Sequence, residues 1–317
     1  MAFLSKKILY LLLVAFMVSL ASFLLVDRLP ADIAYELAGF DASVADVAAI
    51  RAELGLDDPV TIRYGRWLVG VLRGDLGISL HNREPVRQAL AARLPVTLEL
   101  LLLAQLLAVL LAVPAGIFCA WRAESRTDRI LNALAFGSLS VPNFVMAMLL
   151  ILVFAITLGW FPATGFTPFA THPWRNLQGM LLPALAIALA EWVPLMRALR
   201  GDMIQTLQED YILLARAQGL STGRILFRHA LRPSSFTFVT VFGLQVGRLL
   251  GGALIVETVF ALPGIGRLLV QAIFAQDSTV IQGCVLLITC GYLLVNVLVD
   301  LGYGLLDPRL SLRGRHG

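Results

Sequence analysis

Long apolar runs alternate with short polar connections along most of the chain. Six of the runs are long enough to cross a membrane, and they cover residues 8–26, 96–120, 131–158, 177–199, 234–256 and 283–306. A helix of 19 residues rises about 28 Å, close to the ~30 Å hydrocarbon core of a bilayer. The pattern therefore predicts an all-α polytopic membrane protein with six transmembrane helices.

The first two runs are separated by a long, more polar segment, residues 27–95. Ser43 and Asp46 form a capping-box pattern that predicts the start of a helix, and Gly55 predicts its end. Asp58-Pro59 predicts a second helix start, followed by an apolar face that includes Tyr64 and Trp67. Such a helix either lies in the outer membrane interface or packs on the spans, and the pattern leaves both open.

The first run resembles the apolar core of a signal peptide but is longer than the usual 7–15 residues, so we expect it to remain as a first helix. Basic residues give the orientation, because cytoplasmic loops carry an excess of Lys and Arg. With the N-terminus inside, the cytoplasmic segments hold 14 Lys and Arg residues, against one in each of the two short external loops. Both termini are therefore predicted to be cytoplasmic.

Composition agrees with a membrane protein and excludes several other classes. The chain is 58% apolar and only 15% charged, whereas soluble domains carry about 25% charged residues. A net charge of +4 gives no support for nucleic-acid binding. The only two lysines are Lys6 and Lys7, and neither follows a glycine as the lysine of a phosphate-binding Walker loop does, so no such loop is predicted. The three cysteines lie in apolar runs and the four histidines are scattered, so neither a disulfide framework nor a metal site is predicted.

One polar, basic stretch, EDYILLARAQGLSTGRILFRHALRP from Glu209 to Pro233, lies between the fourth and fifth runs. Tyr211, Leu214 and Ala215 are predicted to share one face of a short helix, and Gly219 is placed to end it in a left-handed conformation. A second helix is predicted up to Pro233. Isolated helices under about 12–15 residues are marginal in water. The first helix therefore needs a partner, and we expect a cytoplasmic one, although an ordinary solvated basic loop is the alternative.

This stretch resembles the cytoplasmic coupling loop of ABC importer permeases. Further segments are similar to the dipeptide, oligopeptide and nickel branch of that family. They are RLPADIA, LGLDDPVTIRYGRWLVGVLRGDLGISL, RLPVTLELLLLA, SVPNFV, ETVFALPGIGRLLVQAI and VNVLVDLGYGLLDPR. The resemblance implies the type I ABC importer permease fold. It divides the chain into a tail and first span (1–26), an external helical segment (27–95) and a core of five spans (96–317) with a coupling loop at 200–233.

The resemblance also implies roles for particular residues. The contact with an ATPase subunit is assigned to Glu209, Asp210, Tyr211, Ala215, Arg216, Ala217 and Gly219, with the choice between the two acids left open. The region after the fifth run lies at the outer side of the pathway in that family. It contains Glu257, Pro263, Gly264 and Gly266, which the resemblance assigns to a periplasmic-side gate, although a tight connector is an equal alternative.

Arg248 lies near the middle of the fifth run, where a charge costs ~2.5–3.5 kcal/mol on insertion scales. It must therefore face protein or water. We predict that Arg248 and Gln245 line the translocation pathway, with Arg248 meeting a substrate carboxylate. The alternative is an ion pair between Arg248 and an acid of another subunit.

Together these observations predict a permease subunit of an ABC importer that forms half of the pathway for peptides or peptide-like solutes in a bacterial inner membrane. The chain is expected to be no enzyme and to hold no cofactor, with ATP and Mg²⁺ bound by partner subunits. The resemblance implies a second homologous permease, two cytoplasmic ATPases and an extracytoplasmic solute-binding protein. The alternative is an ion-coupled carrier acting alone.

Overall fold

The structure is a computed structural model that describes residues 2–27, 43–53 and 55–306. The RLPADIA motif, the end of the LLDPR motif and the predicted cytoplasmic arginines Arg309, Arg313 and Arg315 lie outside the described residues.

The described residues are almost entirely helical. In chain order the helices are α1 (Ala2–Asp27), α2 (Val44–Glu53), α3 (Val60–Leu72), α4 (Val86–Trp121), α5 (Arg126–Ser140), α6 (Asn143–Leu150), α7 (Pro173–Thr206), α8 (Asp210–Ala217), α9 (Thr222–Arg224), α10 (Leu231–Val259), α11 (Ile265–Phe274) and α12 (Ser278–Leu306). Two stretches, Ile151–Thr157 after α6 and Ile225–Ala230 before α10, have the wider π-helical hydrogen-bonding pattern. The only β pairing among these residues is an isolated bridge between Ile78 and Pro85.

The helices account for the six predicted spans in two ways. Four, namely α1, α4, α7 and α12, are individually long and apolar enough to cross a membrane. Two bent pairs of helices coincide with the other two predicted spans, so the described residues contain four spans, or six when each pair is taken as one span. The all-α polytopic fold is confirmed.

The third predicted span is not the single straight helix expected over 131–158. Helix α5 and the helix that begins at Asn143 meet at an angle of 102°. The break falls at Val141-Pro142, where Val141 is extended, as the residue before a proline usually is. Each arm has 15 residues, about 22 Å of helix, which is shorter than a bilayer core.

The prediction that a helix ends at Pro233 is wrong. Helix α9, the π-helical stretch and α10 follow one another without a break from Thr222 to Val259. A proline lacks the N–H that would bond to the preceding turn, and local π adjustments re-satisfy such freed groups in membrane helices. The axis bends by 57° only later, between Leu249 and Gly252, at a glycine pair.

The chain divides into two compact units. The first comprises residues 1–97 and 263–293, and its core joins the start of α4 to α11 and α12 through Val86, Leu90, Leu268 and Cys284. The side chains of Ser79 and Asp277, both buried, are hydrogen-bonded at 2.5 Å, and an Asp277 oxygen also accepts from the Val280 N–H at the start of α12. The division by sidedness into 1–26, 27–95 and 96–317 stays a prediction.

The two predicted helices of the segment after the first span are present as α2 and α3. The capping box of α2 is formed, since the Ser43 N–H donates to Asp46 and the Asp46 N–H donates to Ser43. The Ser43 hydroxyl also donates to the Asp46 carboxylate, and this bond, together with the one from the Ser43 N–H, lowers the pKa of the Asp46 carboxyl. In α3, Tyr64 is buried, its ring contacts Phe23 edge-on, and its hydroxyl lies 2.8 Å from that of Ser19. Of the two readings left open, the structure therefore favours packing on the first span.

The second unit comprises residues 98–262 and 294–317. Its core lies between α4, α7 and α10, where small residues such as Ala108, Ala112 and Ala188 permit close contact and Trp192 and Met196 fill the space between them. A second cluster continues towards the end of α7 and joins Ile117, Leu199 and Met203 to Leu226 and Ala230 of the π-helical stretch. This packing positions the segment between α7 and α10.

Candidate functional site

Helix α8, in the predicted coupling loop, packs on its own chain through one face. Ile212 is fully buried and Ala215 is 6% exposed, and both pack against Ile225 of the π-helical stretch. The predicted shared face of Tyr211, Leu214 and Ala215 is therefore wrong. Ala215 is one residue, or about 100°, from Leu214, but three from Ile212, which places the latter pair together. Ala215 supports the position of α8 from within the chain.

The C-terminus of α8 has the predicted geometry. Gly219 has φ +76°, its N–H bonds to the Arg216 carbonyl at 3.0 Å, and the Leu220 N–H bonds to the Ala215 carbonyl at 3.2 Å. This pair of bonds is a Schellman motif, which satisfies carbonyls left free at a helix end. The left-handed conformation favours glycine, and a Cβ at Gly219 would meet no atom within 4 Å.

The other face of α8 is exposed and largely apolar. Tyr211 is 46% and Leu214 is 60% exposed, and Arg216 and Ala217 are also exposed. Partial burial, with a smaller contribution from Glu209, raises the pKa of the Tyr211 hydroxyl. Glu209 is the N-cap residue but makes no side-chain cap bond, and Asp210 is the first helical residue. Both acids therefore remain accessible at the positive end of the helix dipole.

A buried ion pair lies at the start of α5. The Asp128 carboxylate accepts two hydrogen bonds from Arg200 on α7, from Nε at 2.9 Å and from Nη2 at 2.7 Å. Asn132 donates to the same carboxylate at 2.7 Å and the Glu124 N–H donates at 3.0 Å. Bidentate pairs of this kind combine strength with a fixed geometry. The pair fixes α5 against α7 less than two turns before the end of α7.

Sequence reasoning missed this pair. The Ser125 hydroxyl accepts from the Asp128 N–H, so the spacing of a serine and an acid three residues later did carry a helix-start signal. Nothing in the local sequence links Asp128 to Arg200, which lies 72 residues away. In the sequence, Arg200 is one of the basic residues of the predicted cytoplasmic side.

The structure brings the predicted pathway residues next to Glu191. Gln245 is 3% exposed, and its side-chain amide donates to the Glu191 carbonyl at 2.9 Å, linking α10 to α7. Arg248, one turn further along α10, is exposed on the chain and lies close enough to interact electrostatically with the Glu191 carboxylate. The sequence had suggested an acid of another subunit as a partner for Arg248, and Glu191 of the same chain now also qualifies.

The four residues of the predicted gate fall in two different units. In the second unit, Glu257 is fully buried, and its carbonyl accepts from the Leu262 N–H where α10 ends. In the first unit, Gly264 precedes α11 and Gly266 is buried in its first turn, while Pro263 is half-buried. The Ile265 N–H donates to the buried Thr97 hydroxyl at 2.9 Å, which secures the start of α11. The gate role stays a prediction.

A separate apolar cavity of about 420 Å³ lies between α4, α7 and the connection that precedes α7. Leu103, Leu107, Trp160, Trp174 and Leu181 are among its lining residues. It contains neither Arg248 nor Gln245. The cavity and the predicted pathway residues are therefore different features of the second unit.

A helical membrane protein with a short, half-exposed helix held between two spans fits a transporter membrane subunit. Comparison with known families gives the same class. A family model described as the binding-protein-dependent transport system inner membrane component matches residues 112–312, and the model for the N-terminal part of such components matches residues 1–101. The chain belongs to this family.

Individual relatives match over nearly the whole chain. A Brucella abortus (strain 2308) protein, named provisionally as a peptide transport system permease, is 40% identical over 309 residues, 98% of each chain. The glutathione transport system permease protein of Escherichia coli O6:H1 is 36% identical over 97% of this chain and 98% of its own. The dipeptide transport system permease protein of Alkalihalophilus pseudofirmus is 32% identical over 98% and 99%, respectively.

These matches decide between the two function classes left by the sequence. The chain is a multi-pass inner-membrane permease subunit of an ABC importer, and the alternative of an ion-coupled carrier is wrong. Transporter permeases are not a class of enzymes. Membership of the family also implies that ATPase subunits and a binding protein work with this chain.

Proposed function

We propose that this permease subunit imports peptides or peptide-like solutes and forms half of the translocation pathway. This solute class is supported by the names of relatives that align over nearly the full length. They are peptide, dipeptide and glutathione transport permeases. The partners in the proposal are a second homologous permease, two cytoplasmic ATPases and an extracytoplasmic binding protein. ATP and Mg²⁺ are bound by the ATPases, and this chain performs no hydrolysis.

Helix α8 supports the proposal because one of its faces is packed and the other is exposed. One face, with Ile212 and Ala215, is packed on the chain, while the other presents Tyr211 and Leu214 to solvent. A helix of eight residues is too short to be stable alone, so its packed face explains how it keeps its place. The exposed face is the surface offered to an ATPase subunit, and Glu209, Asp210, Arg216 and Ala217 border it.

Movement of α8 would pass to the spans through the contact with Ile225. That residue belongs to the continuous helical stretch from Thr222 towards Val259, which also carries Gln245 and Arg248. Closure of the ATPases on nucleotide would displace α8, and the spans would follow as near-rigid bodies between inward- and outward-open states. Interfaces of this kind switch between discrete packings and do not deform gradually.

The proposal places both termini and α8 in the cytoplasm. A reporter fused after Arg216 is expected to behave as cytoplasmic, and one fused near Gly55 as external. Reports from the same side would contradict the proposed orientation.

The transport function is tested with the complete importer in proteoliposomes. We expect dipeptide uptake that requires ATP, the ATPases and the binding protein together, and no nucleotide binding by the purified permease chain. Uptake that persists without the ATPases would overturn the proposal, as would stoichiometric ATP binding by this chain alone.

A further inference from the structure

Three polar side chains meet near the middle of the spans in the second unit. Glu191 lies in α7 between Pro183 and Pro194, and Gln245 and Arg248 lie in α10. Glu191 is 17 residues after Trp174 and nine before Arg200, which corresponds to about 25 Å and 14 Å along the helix. Arg248 follows Ser234 by 14 residues, about 21 Å. The three groups are thus far from both ends of their helices.

The two charged groups are close but not directly bonded. The Glu191 carboxylate and the Arg248 guanidinium interact electrostatically, yet among the described residues no ion pair within 4 Å joins them. Glu191 is half-buried and Arg248 is exposed on the isolated chain. Both can therefore be reached from the same open side, with opposite charges next to each other.

The Gln245 side chain is held in one position beside the two charged groups. Its amide nitrogen is held by the Glu191 carbonyl, whereas its Oε1 atom is buried without a hydrogen-bond partner in the described structure. A buried acceptor without a partner is costly, and a bound water or solute normally satisfies such an atom. The unsatisfied oxygen thus points to an occupant that donates hydrogen bonds.

Beside this buried oxygen, α10 has an open side with room for a solute. Leu244 and Arg248 are exposed and lie four residues apart, so they form one stripe of α10 before its bend, and Gly252 and Ile255 beyond the bend are exposed as well. A Cβ at Gly252 would meet nothing within 4 Å. On the opposite side Gly243 is buried against Val299 of α12, where a Cβ would come within 2.5 Å of the valine side chain. The helix is packed on one side and open on the other.

Lipid is excluded as the environment of this stripe, because a charge at mid-membrane costs several kcal/mol unless it meets protein or water. A ligand that binds both Glu191 and Arg248 must offer a positive group to the first and a negative group to the second. A solute that carries an ammonium and a carboxylate in one molecule provides both groups. Opposite charges that are close but unbonded on the protein suit such a solute better than they suit a static ion pair.

We infer that Glu191 and Arg248, with Gln245 between them, form a recognition site for zwitterionic solutes within the pathway, where Glu191 binds the free amino group and Arg248 the free carboxylate. This inference rests on the proposed transport function and adds a determinant of specificity to it. The planar guanidinium suits a carboxylate. Binding here must be weak enough for release, so the site selects among passing solutes without retaining them.

The experiment compares three chemically matched solute sets in proteoliposomes that contain the complete importer. They are an equimolar dipeptide library with free termini, the same library N-acetylated, and the same library C-amidated. Uptake is read by mass spectrometry, and each rate is divided by the amount of that library bound by the binding protein. This division separates discrimination in the membrane from selection by the binding protein.

Each charged residue should control one comparison only. Wild type is expected to favour free termini over both capped sets. Glu191→Gln should abolish the preference over the N-acetylated library, and Arg248→Gln the preference over the C-amidated library. The preference lost should be about tenfold, the lower end of what a hydrogen bond to a charged group contributes. Arg248→Lys should restore part of it.

Arg197→Gln is the matched control. It removes a charge from α7, one and a half turns beyond Glu191, where Arg197 stacks on the Phe136 ring at 4.9 Å. It should leave both preferences unchanged. Complex yield is measured in the same membranes, and Glu191→Asp and Arg248→Lys replace the glutamine variants if those lower the yield.

Several results would overturn the inference. Equal loss of uptake for all three libraries in both glutamine variants would show a general structural effect. Loss of yield in the glutamine variants together with unaltered preferences in the conservative ones would show a buried ion pair with another subunit. Unchanged preferences in both glutamine variants at normal yield would show that Glu191 and Arg248 do not recognise the solute. If wild type shows no ATP-driven uptake of any library, the proposed transport function fails instead.

Discussion

Arg200 binds Asp128 through two parallel hydrogen bonds, although the two residues are 72 positions apart in the chain. Asp128 is 4% exposed at its side chain and Arg200 is 26% exposed. The pair holds the start of α5 against α7 close to the turn that leads into α8. We propose that this ion pair holds the end of α7 in place when an ATPase subunit binds to α8, and we call this its anchor role.

Removing Arg200 should damage the structure more than removing a nearby arginine. Arg200→Ala leaves the buried Asp128 carboxylate without an opposite charge and with only its bonds from Asn132 and the Glu124 N–H, a loss of about 3 kcal/mol, the lower end for a broken buried pair. Arg200→Lys should be intermediate because it keeps the charge and loses the bidentate geometry. The measurement is the thermal stability and yield of the detergent-purified complex. Arg197→Ala is the control, and an equal loss from both variants would contradict the anchor role.

Gly219→Asp should weaken the association of the ATPase and uncouple hydrolysis from transport. An aspartate is strained at φ +76° and adds a negative charge at a helix C-terminus, which is unfavourable by about 0.3–1 kcal/mol. Gly219→Asn should be milder, because asparagine tolerates this conformation. The readouts are ATPase co-purification and solute-stimulated hydrolysis.

Gly223→Asp is the control for that experiment. It adds the same charge four residues later in α9, where the backbone is not left-handed and a Cβ would meet no atom. Equal effects of the two aspartates would mean that charge alone is responsible. Wild-type behaviour of Gly219→Asp would mean that the segment is an ordinary solvated loop.

The two alanines of α8 should respond differently to enlargement. Ala215→Leu overfills the contact with Ile225 and should destabilise the segment by about 1–3 kcal/mol. Ala217 is exposed, so Ala217→Leu should leave the stability of the permease unchanged and alter only its affinity for the ATPase. Thermal stability without ATPase and affinity with it separate the two effects. Loss of stability in Ala217→Leu would contradict the assignment of faces.

Leu214→Ala should lower ATPase affinity without affecting the fold of α8. Leu214 is 60% exposed on the chain and becomes buried only if a partner covers it. Truncating a buried leucine costs about 2–5 kcal/mol, so affinity should fall at least tenfold. Leu213→Ala is a comparison of the same size at 52% exposure on the side of α8 that also carries Ala217, at the border of the contact, and a smaller loss is expected there. A smaller effect at Leu214 than at Leu213 would place the contact on another face.

In the first unit, Asp277→Ala should destabilise more than Ser79→Ala. Asp277 accepts from both the Ser79 hydroxyl and the Val280 N–H, so its loss removes a helix cap as well as the bond between the two side chains. Loss of a cap costs about 0.5–2 kcal/mol, in addition to the roughly 1.5–3 kcal/mol of a hydrogen bond to a charged group, which both variants lose. Thermal unfolding of the purified permease gives the comparison. A larger loss from Ser79→Ala would show that the cap contributes little.

The sequence predicted what is determined locally. Ser43 and Asp46 form their reciprocal cap, and Gly219 ends α8 as expected, because such motifs depend on a few consecutive residues. Prolines were the main source of error. Pro142 follows a sharp bend, whereas Pro233 lies within an unbroken helix, and only the surrounding hydrogen bonds distinguish the two.

Contacts across long stretches of sequence could not be predicted. The Asp128–Arg200 pair and the position of Glu191 beside Arg248 depend on how α7 packs on its neighbours. The inward face of Ala215 depends in the same way on Ile225, which belongs to the next helical stretch. A single sequence gives the polarity of these residues but not their partners.

Because an unbroken helical stretch joins Ile225 to Arg248, the direction in which Arg248 lies around the helix axis is fixed relative to Ile225. Each added residue in a helix turns everything beyond it by about 100° and advances it by 1.5 Å. One residue gained or lost after Ile225 would leave the support of α8 in place while turning Arg248 away from Glu191. Substitutions here can be absorbed by repacking, whereas changes of length cannot. The connection between the proposed ATPase contact and the mid-membrane charges is therefore sensitive to residue number, unlike a loop, which takes up insertions by changing its path.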